Sequence, residues 1–363
     1  MIITSTQIWS PCRTRLSSFF FLFGLSFSLV TSGLAQAPVG ASASSKAKLP
    51  RNTVIATIPA GGAPYAAVVS LDSTTLYVTN SASGTVSVID TATNTVTTTI
   101  GVGQAPDGLA ITPDGSTLYV VNFGDYSASV IDTHTNLRTD TFGTGPTPNK
   151  VAISPDGKSA YFPGEGEIVI YDTSTNRPSG SIQFSVSQEA IWIVIAPDGN
   201  PYVGCYGTER VQRGLFLVDT ESDKLEGLAL GKLKSPLGMT ISPNGQTLYV
   251  VNARSISGQP TDVVAVYNIA QDKVTARISL GAPVEGAFGG EDSAITPDGK
   301  YLYVPAPNHN EVLMIDTEKN QIAGSPIAVE NGLMGVAIAP NGKYAYAVNA
   351  ISNTVSVIDI RPQ

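Results

Sequence analysis

The chain has 363 residues, only 14% of them charged, with a formal net charge of −8. An average soluble protein carries about 25% charge, so the polarity here comes from Thr, Ser, Gly and Asn, which favour strands and turns over salt-bridged helices. An acidic chain without clustered cations is excluded as a nucleic-acid or anionic-surface binder.

The first element is an export signal. Arg13 and Arg15 precede an apolar run from Phe19 to Val30, and Ala35-Gln36-Ala37 supplies an A-x-A cleavage site. The run is shorter than the roughly 20 residues a spanning helix needs, so the expectation is a cleaved signal over residues 1–37 and a secreted or periplasmic product with no membrane span. Cleavage removes two Arg and leaves 19 basic against 29 acidic residues, a net charge of −10. Cys205 is then the one remaining cysteine, so no internal disulfide can form, and a small buried role suits it. Residues 38–50, rich in Ala, Ser, Gly and Lys, read as a flexible linker.

From residue 51 onward the chain repeats. An apolar strand, a turn, Leu76-Tyr77-Val78-Thr79-Asn80, a small-polar loop, Val86-Ser87-Val88-Ile89-Asp90 and a Thr-rich strand recur in seven copies. These centre on Tyr77, Tyr119, Tyr161, Tyr202, Tyr249, Tyr303 and Tyr346. The first turn of each copy falls at Leu71, Pro113, Pro155, Pro197, Pro243, Pro297 and Pro340, with spacings of 42, 42, 42, 46, 54 and 43 residues. Four short strands in a period of about 40–50 residues mark a propeller blade. The expectation is an all-β, seven-bladed propeller of four-stranded antiparallel blades over residues 51–363. The last copy stops after Val355-Ser356-Val357-Ile358-Asp359 without its fourth strand. Asn52-Thr53-Val54-Ile55-Ala56-Thr57-Ile58 resembles that missing strand, so the amino-terminal segment should complete blade seven and close the ring.

Tyr77-Val78-Thr79-Asn80, with Ser-Pro-Asp-Gly turns and Val-Ile-Asp strands, resembles the YVTN β-propeller repeat family across essentially residues 52–360. The repeat is also similar to those of sugar lactonase-type propellers, surface-layer proteins and quinoprotein-associated subunits. The resemblance implies the fold and leaves the activity open, since propellers host many functions.

Candidate site residues follow from blade geometry. The a–b and c–d turns lie on one face; the b–c and d–a loops lie on the other, which carries the length variation. From the first turn to the end of strand c takes 19 residues in blades one, two, six and seven, but 17, 22 and 25 in blades three, four and five. The long segments bring Glu209, Arg210, Arg254, Asp262 and Glu285 to one side, with His309 in the b–c loop of blade six. The first residues of strands a should open on the channel: Tyr65, Asp107, Asn149, Lys150, Trp192, Glu291 and Asp292. Asn80, Asn122, Asn252 and Asn349 end strands b, where their amides can satisfy loop backbone. His134 sits in a c–d turn on the regular face.

Two kinds of chemistry are compatible with this set. The first is a binding or scaffold module for an extracellular or periplasmic protein, glycan or small molecule, working as a monomer without a cofactor and through the variable face. The second is a lactonase-like hydrolase, with an acid or His309 activating water and Arg210 or Arg254 stabilising the oxyanion. In one form of it, Asp107, Glu291 and Asp292 hold Ca²⁺ or another divalent cation. A third reading is an accessory subunit of a periplasmic redox enzyme, although no Cys-x-x-Cys-His motif occurs. The balance favours the binding module.

Overall fold

The computed structural model describes residues 48–363 except 185–187, 208–213, 221–223, 229–235, 253–262 and 282–291. The expected signal and most of the expected linker therefore lie outside the described residues, as do Glu209, Arg210, Arg254, Asp262, Glu285 and Glu291.

Seven antiparallel sheets follow one another along the chain. Blade one shows the plan: strand a Pro64–Val69, b Thr75–Asn80, c Thr85–Asp90 and d Thr95–Gly101. Blades two to six follow, in order, over residues 106–143, 152–183, 188–227, 236–279 and 294–328. Blade seven takes Leu333–Ile338, Tyr344–Asn349 and Thr354–Asp359 from the end of the chain and Thr53–Pro59 from its start. No helix among the described residues is long and apolar enough to cross a membrane.

The inner strands are apolar on both faces because each face meets a different neighbour. Leu76 and Val78 pack toward blade seven, whereas Tyr77, between them, packs toward blade two with Leu118 and Val120. Tyr119 and Val121 then face blade three. Among the described residues seven such apolar clusters fill the seven gaps between blades, from blades one and two round to seven and one. A buried side chain of this size contributes about 1.5–3 kcal/mol, and the supply is continuous round the ring. The outer strands show the reverse pattern: in Thr95–Gly101 only Ile100 is buried.

A polar lock runs beside the apolar one. The buried strand-b tyrosines reach the c–d turn of the next blade: Tyr77 Oη donates to Asn136 Oδ1 at 3.2 Å and Tyr119 Oη to Asn176 Oδ1 at 2.8 Å. Both asparagines are left-handed, with φ of 55° and 51°, a conformation Asn tolerates. Burial pushes the Tyr119 hydroxyl up to about 12, with Asp140 and Asp172 adding to the shift. At the closure, Tyr303 Oη donates to Asn52 Oδ1 at 2.7 Å, and Asn52 is left-handed too, with φ 51°. The amino-terminal segment thus supplies blade seven with a turn asparagine as well as a strand.

The outer strands carry a repeated bulge. One residue of strand d is extra at Thr97, Thr139, Ser179 and Thr275, and each hydroxyl donates to a strand-c carbonyl, Val88, Val130, Ile170 and Val266 respectively. In blade seven the extra residue is Ile55, which has no hydroxyl and is half-exposed. Blade six departs further. Its fourth strand is broken into Gln321–Ile322 and Ile327–Ala328, because Gly324-Ser325-Pro326 interrupts the ladder with a residue that lacks an N–H.

The two ends of the propeller segment meet. Arg51 N donates to the Arg361 carbonyl at 2.9 Å, Gln363 N to the Leu49 carbonyl at 3.1 Å, and Pro50 bridges Pro362. Elsewhere the aspartate ending strand c folds back onto its own turn, as Asp90 does to the N–H groups of Ala92 and Thr93. Asp359 likewise accepts the backbone N–H two residues on, Arg361 N at 3.1 Å, and adds Arg361 Nε at 2.9 Å, Arg361 Nη2 at 2.7 Å and Arg51 Nη1 at 3.3 Å. Arg361, foremost, with Arg51 assisting, holds its carboxyl down at about 2.

Candidate functional site

Strands a line a central cavity of about 410 Å³, walled by Ala66–Val69, Leu109, Val151, Ile193, Val194, Met239 and Val336–Ile338. Its wall is apolar because strand a also packs between blades. At the loop-face end the polarity changes, and residues 42 to 227 positions apart in sequence converge there. Lys150 Nζ lies 2.8 Å from Asp292 Oδ2 and 3.9 Å from Asp107 Oδ1. The same ammonium sits 4.4 Å from the centre of the Trp192 ring and 5.6 Å from that of Tyr65. Lys150, Asp292, Asp107, Trp192 and Tyr65 come from blades three, six, two, four and one; four lie at or just before the start of a strand a, and Trp192 is the fifth residue of Gln188–Ile195.

The lysine side chain is only 9% exposed, against 31% for Asp292. A charge so enclosed needs opposite charge and polarisable faces about it, and this site provides both. Backbone contacts fix the partners. Gly108 N donates to the Asn149 carbonyl at 3.1 Å, and Val336 N to the Asp292 carbonyl at 2.8 Å, so neighbouring strands a are tied directly at the mouth. Two glycines permit the approach: a Cβ on Gly108 would lie 2.8 Å from Lys150 Cα, and one on Gly335 would lie 2.7 Å from Asp292 Cβ.

The sequence grouped Asp107 and Asp292 as ligands for a hard cation. The structure brings them to one place and sets the Lys150 ammonium between them. Among the described residues no group of three or more His, Cys, Asp or Glu side chains is arranged to hold a metal. The position of Lys150 at the mouth was legible from the strand register; its role as the common partner of both acids was not, because nothing local announces contacts between blades three and six. The signal was a lone lysine among the acids, aromatics and asparagine at the heads of strands a.

The strand-b asparagines are enclosed clamps. Asn122 is fully buried; its Oδ1 accepts from Gly103 N at 3.0 Å and its Nδ2 donates to Ser127 and Ser129 hydroxyls at 2.9 and 3.0 Å. Asn80 repeats this with Gly61, Thr85 and Ser87. Asn252 ends its strand in the same place, opposite Pro236 and Val263, and its side chain lies outside the described residues.

His309 ends a short 3₁₀ turn, Pro307–His309, in blade six. It lines a second cavity of about 260 Å³ with Glu311, Asn308 and the apolar Leu280, Leu313 and Pro326. This pocket lies between blades five and six, beside the broken outer strand, and shares none of its lining with the channel. The sequence-predicted residues thus divide between two places. Cys205 is fully buried, and desolvation pushes its thiol up to about 12, which removes it as a nucleophile. His134 is exposed in its turn, where its backbone N–H donates to Asp132.

Residues 47–165 match the YNCE-like beta-propeller family. No curated protein matches the chain. Among solved structures it is similar to a chain of the Kuenenia stuttgartiensis hydrazine synthase, at TM-score 0.74 and 25% identity, over 89% of this chain and 100% of that one. It is similar in fold to a chain of the mitotic checkpoint complex, at TM-score 0.70 and 13% identity, over 92% of this chain and 99% of that one. With the YNCE-like match over its first blades and one repeat plan carried through all seven, the protein is a seven-bladed β-propeller whose repeat is consistent with the YVTN type.

Proposed function

We propose that the protein is exported through its amino-terminal signal and acts outside the cytoplasm as a binding or scaffold module, engaging a protein, glycan or small molecule through its b–c and d–a loops. The observation that carries this reading is the mutual commitment of the charges at the channel mouth. Lys150, Asp107 and Asp292 compensate one another in a largely enclosed cluster, an arrangement that stiffens a scaffold more readily than it frees a general base. A rigid ring carrying loops of unequal length on one face supports recognition.

The test is a pH-stat assay of the purified protein against a panel of sugar lactones, with and without Ca²⁺. The expected result is acid release no faster than background. Release above background that is lost in His309→Ala would replace the binding module with a lactonase-like hydrolase working from the pocket between blades five and six.

One observation favours a second reading. The likeness to an entire chain of a hydrazine synthase supports a propeller that accompanies a redox enzyme. In that reading this chain is the docking body, and stoichiometric co-purification with a haem-bearing or quinone-bearing partner from its native host is the result that would establish it.

A further inference from the structure

Lysine is almost never buried unless its charge is met, and Lys150 is met from four other blades at once. Two carboxylates and two aromatic faces around one ammonium form the donor set that recognises organic amines: the carboxylates accept its N–H groups, and the ring faces attract its charge. Among the described residues the two acids carry two negative charges against the one positive charge of Lys150, so taking the lysine away leaves carboxylates that favour a cation. Its shape is fitted to the lysine stem. A Cβ on Gly108 would come within 2.9 Å of Lys150 Cδ, and the apolar channel wall continues below.

We infer that the loop-face end of the channel is a recognition site for a primary alkylammonium, which the chain fills with its own Lys150. The lysine is a tethered ligand: it joins blades one, two, three, four and six at a single charge and stops the channel at that end. This inference shares the charge cluster with the proposed binding function but concerns the channel mouth and not the outer loops, so propylammonium titration tests it apart from the lactone assay.

The Lys150→Ala change deletes the propylammonium end of the side chain and leaves the other four partners in place. Its thermal midpoint should fall by about 5 °C, since a midpoint in a protein of more than 300 residues moves roughly 1.5 °C for each kcal/mol lost and removing one partner of an enclosed ion pair is strongly destabilising. Free n-propylammonium should restore much of that loss in a saturable way and titrate calorimetrically to one site. Equal concentrations of n-propanol or sodium should not, and the wild-type protein should not respond. Adding Asp292→Asn to the variant should weaken propylammonium binding about tenfold, because one of the two carboxylate charges is gone. Absence of saturable stabilisation, or an equal effect from n-propanol, would overturn the inference.

A measurement on the wild-type protein keeps the question decidable should the alanine variant not fold. Under limited acylation at neutral pH, Lys150 should react at least about tenfold more slowly than Lys158, whose side chain is 80% exposed, because the enclosed ammonium must leave its partners to react. In Asp292→Asn that protection should diminish. Acylation of wild-type Lys150 at the rate of Lys158 would show that the ammonium is not held, and the inference would fail.

Discussion

At the residue scale, tight demands fall where backbones of neighbouring blades nearly touch. Gly335 lies against Asp292, where an added Cβ would stand 2.7 Å from the aspartate Cβ. Replacing it with alanine must push Asp292 outward and lengthen its 2.8 Å contact with Lys150. We expect Gly335→Ala to cost about 1–3 kcal/mol, the range for overpacking a well-filled interior. Gly101→Ala is the matched control. A Cβ there meets no atom within 4 Å, so its effect should stay within about 0.5 kcal/mol. Urea titration of both variants measures the difference; equal losses would mean that the Gly335 contact is not tight.

At the element scale, the outer-strand bulge explains why strand d is rich in Thr and Ser. The extra residue points its hydroxyl at a strand-c carbonyl that the bulge leaves in need of a donor, as Thr97 does with Val88 at 3.1 Å. Blade seven places Ile55 in that position. Ile55→Thr should therefore stabilise the closing strand by about 0.5–1 kcal/mol, the net worth of one hydrogen bond, while removing a half-exposed apolar side chain. The reciprocal Thr97→Val should lose a similar amount. Thermal midpoints of the two variants should move in opposite directions, and a fall in both would remove the hydroxyl from this account. The Thr-rich strands were visible in the sequence, but the bulge was not, since alternation gives a strand's faces and not the register of its partner.

At the scale of the whole molecule, stability is a property of ring closure. The joint between the ends of the propeller segment rests on strand Thr53–Pro59, the Asn52–Tyr303 bond and the Asp359 cluster. The carboxyl of Asp359 lies at about 2, below its ordinary value of 3.8. Its contribution is therefore complete above the ordinary carboxylate range and is lost as pH falls from about 4 through 2. The turn carboxylates Asp90, Asp114, Asp132, Asp156 and Asp172 are likewise lowered, mostly by hydrogen bonds from their own turns, and act in the same direction. The thermal midpoint should be flat from pH 7 to 5 and fall steeply below pH 4. Asp359→Asn should start lower, by on the order of 5 °C, and fall less steeply from there, having no charge left to lose. Parallel profiles would show that this carboxylate does not hold the joint.

The seven-fold period, the turn chemistry and the missing fourth strand are local properties of the chain, so the sequence alone determined the fold and its closure. The same strand-to-loop order assigned Asn80 and Asn122 to strand ends, and it placed Lys150, Asp107, Trp192 and Asp292 at the head of strands a. Only the tertiary structure decided what those residues do together. The Lys150 ammonium sits between two acids from blades two and six and over an indole from blade four. Distance and angle between blades depend on how seven twisted sheets pack about one axis, a sum over every apolar layer in the ring. A periodic sequence states that sum once per blade and never writes down its centre.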